Sequence, residues 1–186
     1  MHTCCAPCSA YVYDILKKNY QVSLFFYNPN IYPPAEYQKR LSELKTFTSL
    51  KKIDLIIGQY NSDTWENKIK PYKHLGEKSK RCWECYQIRL EETFKEAALK
   101  NFDLVTTTLS ISPHKNAPVI NQIGKKLERD FPLLFLEADF KKNDGYKKSL
   151  DLSRKNNFYR QNYCGCRYSL KERIALNGRA QSDKTN

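Results

Sequence analysis

Apolar positions follow two patterns along the chain. Short continuous apolar runs predict buried strands, and longer stretches with apolar residues three or four positions apart predict amphipathic helices. The predicted strands are Val22–Tyr27, Ile53–Ile57, Phe102–Thr108 and Leu133–Leu136. Because helices separate them, we expect an α/β fold: a parallel sheet with helices on both faces, in which these four strands are buried on both sides.

The predicted helices occupy the intervals between these strands. Ser9 is a candidate cap for the first helix, which we expect to begin after Cys8. Almost no strand precedes that helix, so either the chain begins late in a first strand or further residues lie upstream of Met1. The other predicted helices follow Pro33-Pro34 and cover Ser62–Lys70, Cys82–Lys100, Asn116–Asp130, Gly145 to about Lys155, and a short segment from Ser169. The pattern predicts one domain over residues 1–176 and a frayed polar tail over 177–186.

Basic residues are in excess and concentrate towards the C-terminus. The formal net charge is +12, and residues 141–186 hold 12 basic and 4 acidic side chains. A basic third suggests a polyanionic partner such as nucleic acid, although a merely basic surface explains the charge equally well. Aromatic residues interleave with the basic ones, a mixture typical of surfaces that bind RNA loops. The candidate RNA-binding residues are Lys147, Lys148, Arg154, Arg160 and Arg167.

Several classes of protein are excluded by what the sequence lacks. No apolar run approaches the roughly 18 residues of a membrane-spanning helix, and the N-terminus has no basic and apolar regions of a secretory signal. We therefore expect a cytoplasmic protein with no membrane partner. The six glycines form neither G-x-G-x-x-G nor G-x-x-x-x-G-K-[ST], and no S-G-G-x-D-S loop is present, so neither ATP nor a nicotinamide cofactor is expected. The hydroxyl-rich stretch Thr106–Thr108 either binds a ribose or phosphate or makes ordinary loop hydrogen bonds.

The seven cysteines suggest metal or redox chemistry. Their odd number excludes a complete intrachain disulfide framework, and they fall into three groups. Two C-x-x-C pairs suit metal binding, and the adjacent pair Cys4-Cys5 favours one large iron–sulfur cluster over a single zinc ion, although a zinc site stays open. The Cys164-Gly165-Cys166 group is either a strained, reducible dithiol pair or two further metal ligands. The groups are Cys4, Cys5 and Cys8; Cys82 and Cys85; and Cys164 and Cys166.

Five motifs in order resemble the QueH family, the cobalamin-independent epoxyqueuosine reductases. A sixth segment, Asp139-Phe140-Lys141, resembles the family's Asp-Phe-Arg. The resemblance runs from residue 2 to about residue 169, and it implies a HUP-type sheet, similar to adenine-nucleotide hydrolases. The five motifs are His2–Ser9, Phe26–Ile31, Cys82–Leu90, Thr106–Pro113 and Tyr159–Cys166.

The resemblance implies reduction of epoxyqueuosine to queuosine at the wobble position of a tRNA, with electrons from an unidentified donor. It also implies a redox-active disulfide pair of Cys164 with Cys166, and an iron beside the cluster for which Cys8 and Asp139 are candidate ligands. The implied [4Fe–4S] ligands are Cys4, Cys5, Cys82 and Cys85.

Two other functions remain as alternatives. An iron–sulfur tRNA enzyme that inserts sulfur is disfavoured by the missing pyrophosphatase loop. A zinc-held RNA-binding module without catalysis is disfavoured by the adjacent Cys4-Cys5 pair and by Cys164-Gly165-Cys166.

Overall fold

The computed structural model describes residues 1–182, in which short parallel strands alternate with helices. The strands are β1 (His2–Thr3), β2 (Leu24–Phe26), β3 (Leu55–Ile57), β4 (Leu104–Val105) and β5 (Leu134–Phe135). The α-helices are α1 (Ala6–Leu16), α2 (Pro34–Lys51), α3 (Ser62–Ile69), α4 (Lys80–Leu99), α5 (Ala117–Leu127), α6 (Gly145–Lys155) and α7 (Arg167–Ser182). Short 3₁₀ helices cover Lys70–Tyr72 and Thr108–Ile111. No helix in the described part is long and apolar enough to cross a membrane.

The strands form a parallel array in the order β3-β2-β1-β4-β5. The first three make one sheet, with His2 opposite Phe25, and β4 pairs with β5. A single bridge between His2 and Thr107 joins the two parts, and the His2 amide donates to the Thr106 carbonyl at 2.9 Å. The order therefore reverses between β1 and β4, at the N-terminal strand of the chain.

Two apolar clusters cover the two faces of this array, which confirms the predicted α/β class. On one face, α1 and α2 pack on β2, whose Leu24 and Phe26 are fully buried. On the other face, α4 and α5 pack on β4 and β5, with Phe94 at the centre. The structure supports a small parallel sheet between two helical layers.

The prediction that all four apolar runs are buried on both sides is wrong for the outer strands. Ile57 on β3 is 44% exposed and Leu134 on β5 is 62% exposed. Both strands lie at an edge and have only one neighbouring strand, so part of each meets solvent. An apolar run alone does not distinguish an edge strand from a central one.

The first helix begins earlier than predicted. α1 starts at Ala6, with Cys5 as the N-cap residue and Pro7 in the first turn. Ser9 is not a cap but lies inside the helix, where its hydroxyl donates to the Cys5 carbonyl at 2.7 Å. The sequence signal for this start is Pro7. Amides in the first turn of a helix have no partner within the helix, so proline, which lacks an amide hydrogen, is favoured there.

The C-terminal helix is longer than the predicted short segment. α7 begins at Arg167 and continues to Ser182, so residues 177–182 of the predicted frayed tail have helical backbone. The rest of the predicted tail, residues 183–186, lies outside the described residues.

Gly145, the first residue of α6, has no room for a side chain. A Cβ atom there would lie 1.9 Å from the Phe140 carbonyl oxygen, which is backbone and cannot rotate away. We therefore expect Gly145→Ala to lower the free energy of unfolding by about 1–3 kcal/mol. Gly76 is the matched control, because no atom lies within 4 Å of its Cβ position. Gly76→Ala should stay within about 0.5 kcal/mol of wild type in the same urea titration, and equal effects would contradict the expectation.

Candidate active site

A cavity of about 420 Å³ opens where the strand order reverses, at the carboxyl ends of β1 and β4. Ligands of open α/β sheets bind in this position, because the connections from the two central strands leave to opposite faces and a crevice remains between them. The cavity wall includes Cys4 and Cys8 from the N-terminal cysteine group, Lys115 from the loop after β4, and Gln161 and Cys164 from the segment before α7.

The N-terminal cysteines form a tight group at the start of α1. The sulfur atoms of Cys4, Cys5 and Cys8 all lie within 4.8 Å of one another, and no further His, Asp, Glu or Cys of the described chain joins them at this spacing. Hydrogen bonds from the Cys5 and Cys8 thiols, aided by the charges of Arg89 and Lys115, hold the pKa of Cys4 well below its usual range. The helix N-terminus also favours a thiolate. The group can therefore carry negative charge and offer soft sulfur ligands to a metal.

Two buried guanidinium groups lie near these sulfurs. Arg89 on α4 is 1% exposed, donates to Asn28 Oδ1 at 2.6 Å, and makes no ion pair with any carboxylate in residues 1–182. Arg40 on α2 is paired to Glu36 at 2.7 Å, but its Nη2 is buried without a partner. Buried cations need nearby negative charge. An anionic group of metal and thiolates at the cysteine sulfurs would supply the negative charge that these two buried arginines need.

Two of the three hydroxyls in Thr106–Thr108 are structural. His2 Nδ1 hydrogen bonds to Thr107 Oγ1 at 2.8 Å, and burial, with the charge of Arg89, lowers the pKa of His2 to about 3. A neutral His2 therefore ties β1 to β4 beneath the cavity. Thr106 donates to the Leu136 carbonyl at 3.1 Å. Of the three hydroxyls, only that of Thr108, which is buried in the cavity wall, has no hydrogen-bond partner among the described residues, so it is the one that is available to a ligand.

Cys82 and Cys85 lie on a helix, and the predicted helix over Cys82–Lys100 is confirmed, although it begins two residues earlier. Helix α4 begins at Lys80, so the two cysteines occupy its first two turns, three positions apart and on the same side. Burial raises the pKa of both thiols to about 11. Cys85 belongs to a buried apolar cluster that also holds Trp65 and Cys166. Metal binding here would have to displace the thiol protons.

The Cys164-Gly165-Cys166 turn is held by the segment after β2. The Tyr32 amide donates to the Gly165 carbonyl at 2.7 Å, and Gly165 has a φ of +124°, which side-chain-bearing residues rarely adopt. Glycine is therefore required at the centre of this turn. The two thiols are unlinked; Cys164 is half-buried in the cavity wall, whereas Cys166 is 9% exposed.

Lys115 is a site residue that the sequence alone did not reveal. Its Nζ donates to Cys164 Sγ at 3.2 Å. Burial by itself would lower the pKa of Lys115, but the negative charges of Cys164, Tyr86 and Cys4 raise it above its ordinary value. The lysine is thus a fixed positive charge beside the cavity.

The other predicted site residues lie around this centre. Asp139 is paired to Lys141 at 2.7 Å and does not join the cysteine group. Lys147, Lys148 and Arg154 are exposed on α6, whose Tyr146 lines the cavity, and Arg160 is exposed on the cavity wall. Arg167 starts α7, where its guanidinium lies 4.8 Å from the Tyr32 ring centre and 3.6 Å from Glu66. Of these five residues only Arg160 lines the cavity, and Arg154 is paired to Asp151 at 3.2 Å.

Comparison with known proteins gives the family. The family model described as epoxyqueuosine reductase QueH matches residues 1–172, which include all seven cysteines. The chain belongs to the QueH family. It is therefore an oxidoreductase, as its relatives are named epoxyqueuosine reductases.

Curated QueH relatives match nearly the whole chain. The epoxyqueuosine reductase QueH of Thermotoga maritima is 39% identical over 179 residues, 93% of this chain and 90% of that protein. The one from Acinetobacter baylyi is 36% identical over 174 residues, covering 92% and 80%. The one from Streptococcus pyogenes is 33% identical over 177 residues, covering 92% and 69%.

Signals for the overlooked residues of this QueH chain were weak in the sequence. Lys115 follows the motif Thr106–Pro113 by two positions, and a basic residue in a loop after a strand is ordinary. Arg40 and Arg89 lie on helices at positions that look like part of a solvated face. What sets these residues apart is burial next to sulfur, which arises from contacts between distant segments.

Proposed function

We propose that this chain reduces epoxyqueuosine to queuosine in tRNA. The observation that carries the proposal is one cavity whose wall holds Cys4, Cys8, Cys164 and Lys115, in a chain of the QueH family. The reaction breaks both epoxide C–O bonds, forms a C=C bond and releases the oxygen as water, so it consumes two electrons and two protons. Sulfur ligands and a dithiol are groups that can carry such electrons.

The proposed cluster ligands are Cys4, Cys5, Cys82 and Cys85, and they would hold a [4Fe–4S] cluster. The positive charge of Arg89, near both Cys4 and Cys85, supports this set because it would offset part of the negative charge of the thiolates. Cys8 is our candidate ligand for an adjacent iron; Asp139, the second candidate, would first have to leave Lys141. When bound, the metal groups would supply single electrons and a Lewis acid for the epoxide oxygen.

The protein's own groups would bind and orient the substrate. A cavity of about 420 Å³ falls within the usual range for ligand sites, and it suits one modified base taken out of the anticodon loop. Thr108 Oγ1 and Gln161 Oε1 are buried in its wall without partners among the described side chains, and they are available to polar groups of the substrate. Lys115, in the cavity wall, would stabilise or protonate a developing oxyanion.

The proposal includes the remaining sequence expectations. Cys164 and Cys166 would form the two-electron store, re-reduced by a donor that is still to be identified. The sheet would be a shortened HUP-type sheet, and residues 1–176 a single catalytic domain in the cytoplasm, where tRNA is modified. Neither cobalamin nor ATP would take part.

The proposal is tested by direct conversion of the substrate. Protein purified without oxygen would be incubated with tRNA carrying epoxyqueuosine and a chemical reductant, and the tRNA would be digested to nucleosides for mass spectrometry. We expect the epoxyqueuosine peak to be replaced by queuosine, lighter by one oxygen atom. Iron-loaded protein that binds this tRNA but leaves the epoxide intact under reducing conditions would contradict the proposal.

Lys147 and Lys148 are expected to contribute to tRNA affinity by neutralising phosphates. Both are exposed on α6, beside the cavity-lining Tyr146. Reversing both to Glu should weaken binding and reduce the slope of log K against log salt by about 0.7–0.9 for each phosphate that is no longer neutralised. The matched control reverses Lys125 and Lys126 on α5, which do not line the cavity. Equal effects in the two double variants, measured by filter binding over a salt series, would show that α6 has no special place in binding.

A further inference from the structure

The two sulfurs of the Cys164-Gly165-Cys166 turn have different surroundings. Cys164 is half-buried, lines the cavity and receives a hydrogen bond from Lys115 Nζ at 3.2 Å. Cys166 is 9% exposed and packs in an apolar cluster with Trp65 and Cys85. A reagent that enters the cavity therefore reaches one sulfur before the other.

Lys115 has no carboxylate to pair with in the part of the chain that the structure describes. No ion pair between Lys115 and an acidic side chain occurs in residues 1–182, and the closest negative partner that the structure gives it is the sulfur of Cys164. A half-buried ammonium group without a carboxylate gains most when the neighbouring thiol is ionised. The pair therefore has the chemistry of a lysine that activates a cysteine.

Cys166 has a stabiliser of another kind. The Ser169 amide donates to Cys166 Sγ at 3.4 Å, at the first turn of α7. Unpaired amides and the dipole at a helix start favour negative charge. A thiolate released at Cys166 is thus stabilised by the Ser169 amide at the start of α7.

We propose that Cys164 is the sulfur that exchanges with an external thiol, that Cys166 is its internal partner, and that Lys115 is the positioning residue that promotes exchange at the Cys164 sulfur through its Nζ–Sγ contact. The inference rests on the redox role of the pair in the proposed function, and it assigns the two sulfurs unequal parts in that role.

The exchange balances with two equivalents of an external thiol. The first thiolate attacks Cys164 Sγ, the Cys164–Cys166 bond breaks, and its electron pair leaves on Cys166, which takes a proton. The second thiolate attacks the external sulfur of the mixed disulfide, and the bond to Cys164 breaks. The electron pair of that bond stays on the Cys164 sulfur, which becomes a thiolate beside Lys115. One external disulfide forms, and the enzyme gains two electrons.

Alkylation of single sulfurs tests which cysteine is exposed to reagents. Trypsin cuts after Arg160 and Arg167, so the peptide 161–167 holds only Cys164 in Cys166→Ser and only Cys166 in Cys164→Ser. Iron-loaded protein would be treated with iodoacetamide without oxygen, and labelling of this peptide would be followed by mass spectrometry. We expect Cys164 to react at least about tenfold faster than Cys166, because its place in the cavity wall and its contact with Lys115 Nζ both favour it. Equal rates, or a faster Cys166, would overturn the proposal.

Variants of Lys115 test its part. In the Cys166→Ser background, Lys115→Met should slow alkylation of Cys164 about tenfold, Lys115→Arg should restore most of the rate, and the exposed control Lys126→Met should change nothing. With both cysteines present, Lys115→Met should make the pair about tenfold harder to reduce in a dithiol buffer, about 30 mV more negative. Unchanged rate and potential would overturn the role of Lys115.

The results distinguish a failure of this inference from a failure of the proposed function. If Cys164→Ser keeps full conversion of epoxyqueuosine while Lys115 still controls the alkylation rate, the redox role is wrong and the Lys115–Cys164 pairing is right. If Cys164→Ser abolishes conversion while Lys115→Met leaves both rate and potential unchanged, the redox role stands and this inference is wrong.

Discussion

Protein with Cys166→Ser is expected to keep its iron and sulfide close to wild type and to lose repeated turnover by about a hundredfold or more. Serine cannot form a disulfide, so the variant cannot take up a second pair of electrons by thiol–disulfide exchange. An enzyme that depends on this pair therefore stops after its first turnover. Cys166 lies in the apolar cluster with Cys85, but a hydroxyl of similar size leaves the packing nearly intact. The measurement is metal content, unfolding free energy and queuosine formation on one preparation.

Three outcomes of that measurement have different meanings. Loss of iron together with turnover would make Cys166 a metal ligand. Lower stability with turnover kept in proportion to folded protein would make it structural. Normal metal with normal turnover would remove the redox role of the pair.

Protein with Cys85→Ser is expected to lose most of its iron, its sulfide and its visible iron–sulfur absorbance, and with them all measurable conversion. Serine is a far weaker ligand than a thiolate for iron–sulfur clusters. Cys8→Ser is the informative comparison, because Cys8 belongs to the tight group with Cys4 and Cys5 but not to the four proposed cluster ligands. We expect Cys8→Ser to keep its sulfide and to lose at most the adjacent iron.

The reverse result would contradict the ligand set. If Cys85→Ser kept full sulfide and absorbance while Cys8→Ser lost them, the metal would be held by the three cysteines that the structure groups within 4.8 Å. The set of Cys4, Cys5, Cys82 and Cys85 would then be wrong. Iron, sulfide and absorbance on the two variants, prepared in parallel, distinguish these results.

The elements of the fold were largely predictable because they depend on local patterns. Apolar runs located β2 to β5, and helical spacing located α2 to α6. The start of α1 was misplaced because Pro7 was not considered, although its signal is local. The exposed edges at Ile57 and Leu134 were not predictable, because they depend on which strands have a second neighbour.

The candidate site was predictable in its sulfur chemistry but not in its electrostatics. Spacing alone grouped the cysteines, whereas the positive φ of Gly165, +124°, is known only from the structure. The charges of Arg40, Arg89 and Lys115 become part of the site only because α2, α4 and the loop after β4 converge on the carboxyl end of β1. Such convergence is a long-range property that no short sequence window contains.

The account is tested most directly by one preparation of wild-type protein, purified without oxygen and analysed for metal, sulfide and conversion together. It predicts brown protein with about four iron and four sulfide ions per chain, or one iron more, that converts epoxyqueuosine in tRNA to queuosine under reducing conditions. Colourless protein that holds one zinc ion, contains no sulfide and binds tRNA without changing it would contradict the account. That result would instead identify a zinc-held RNA-binding module.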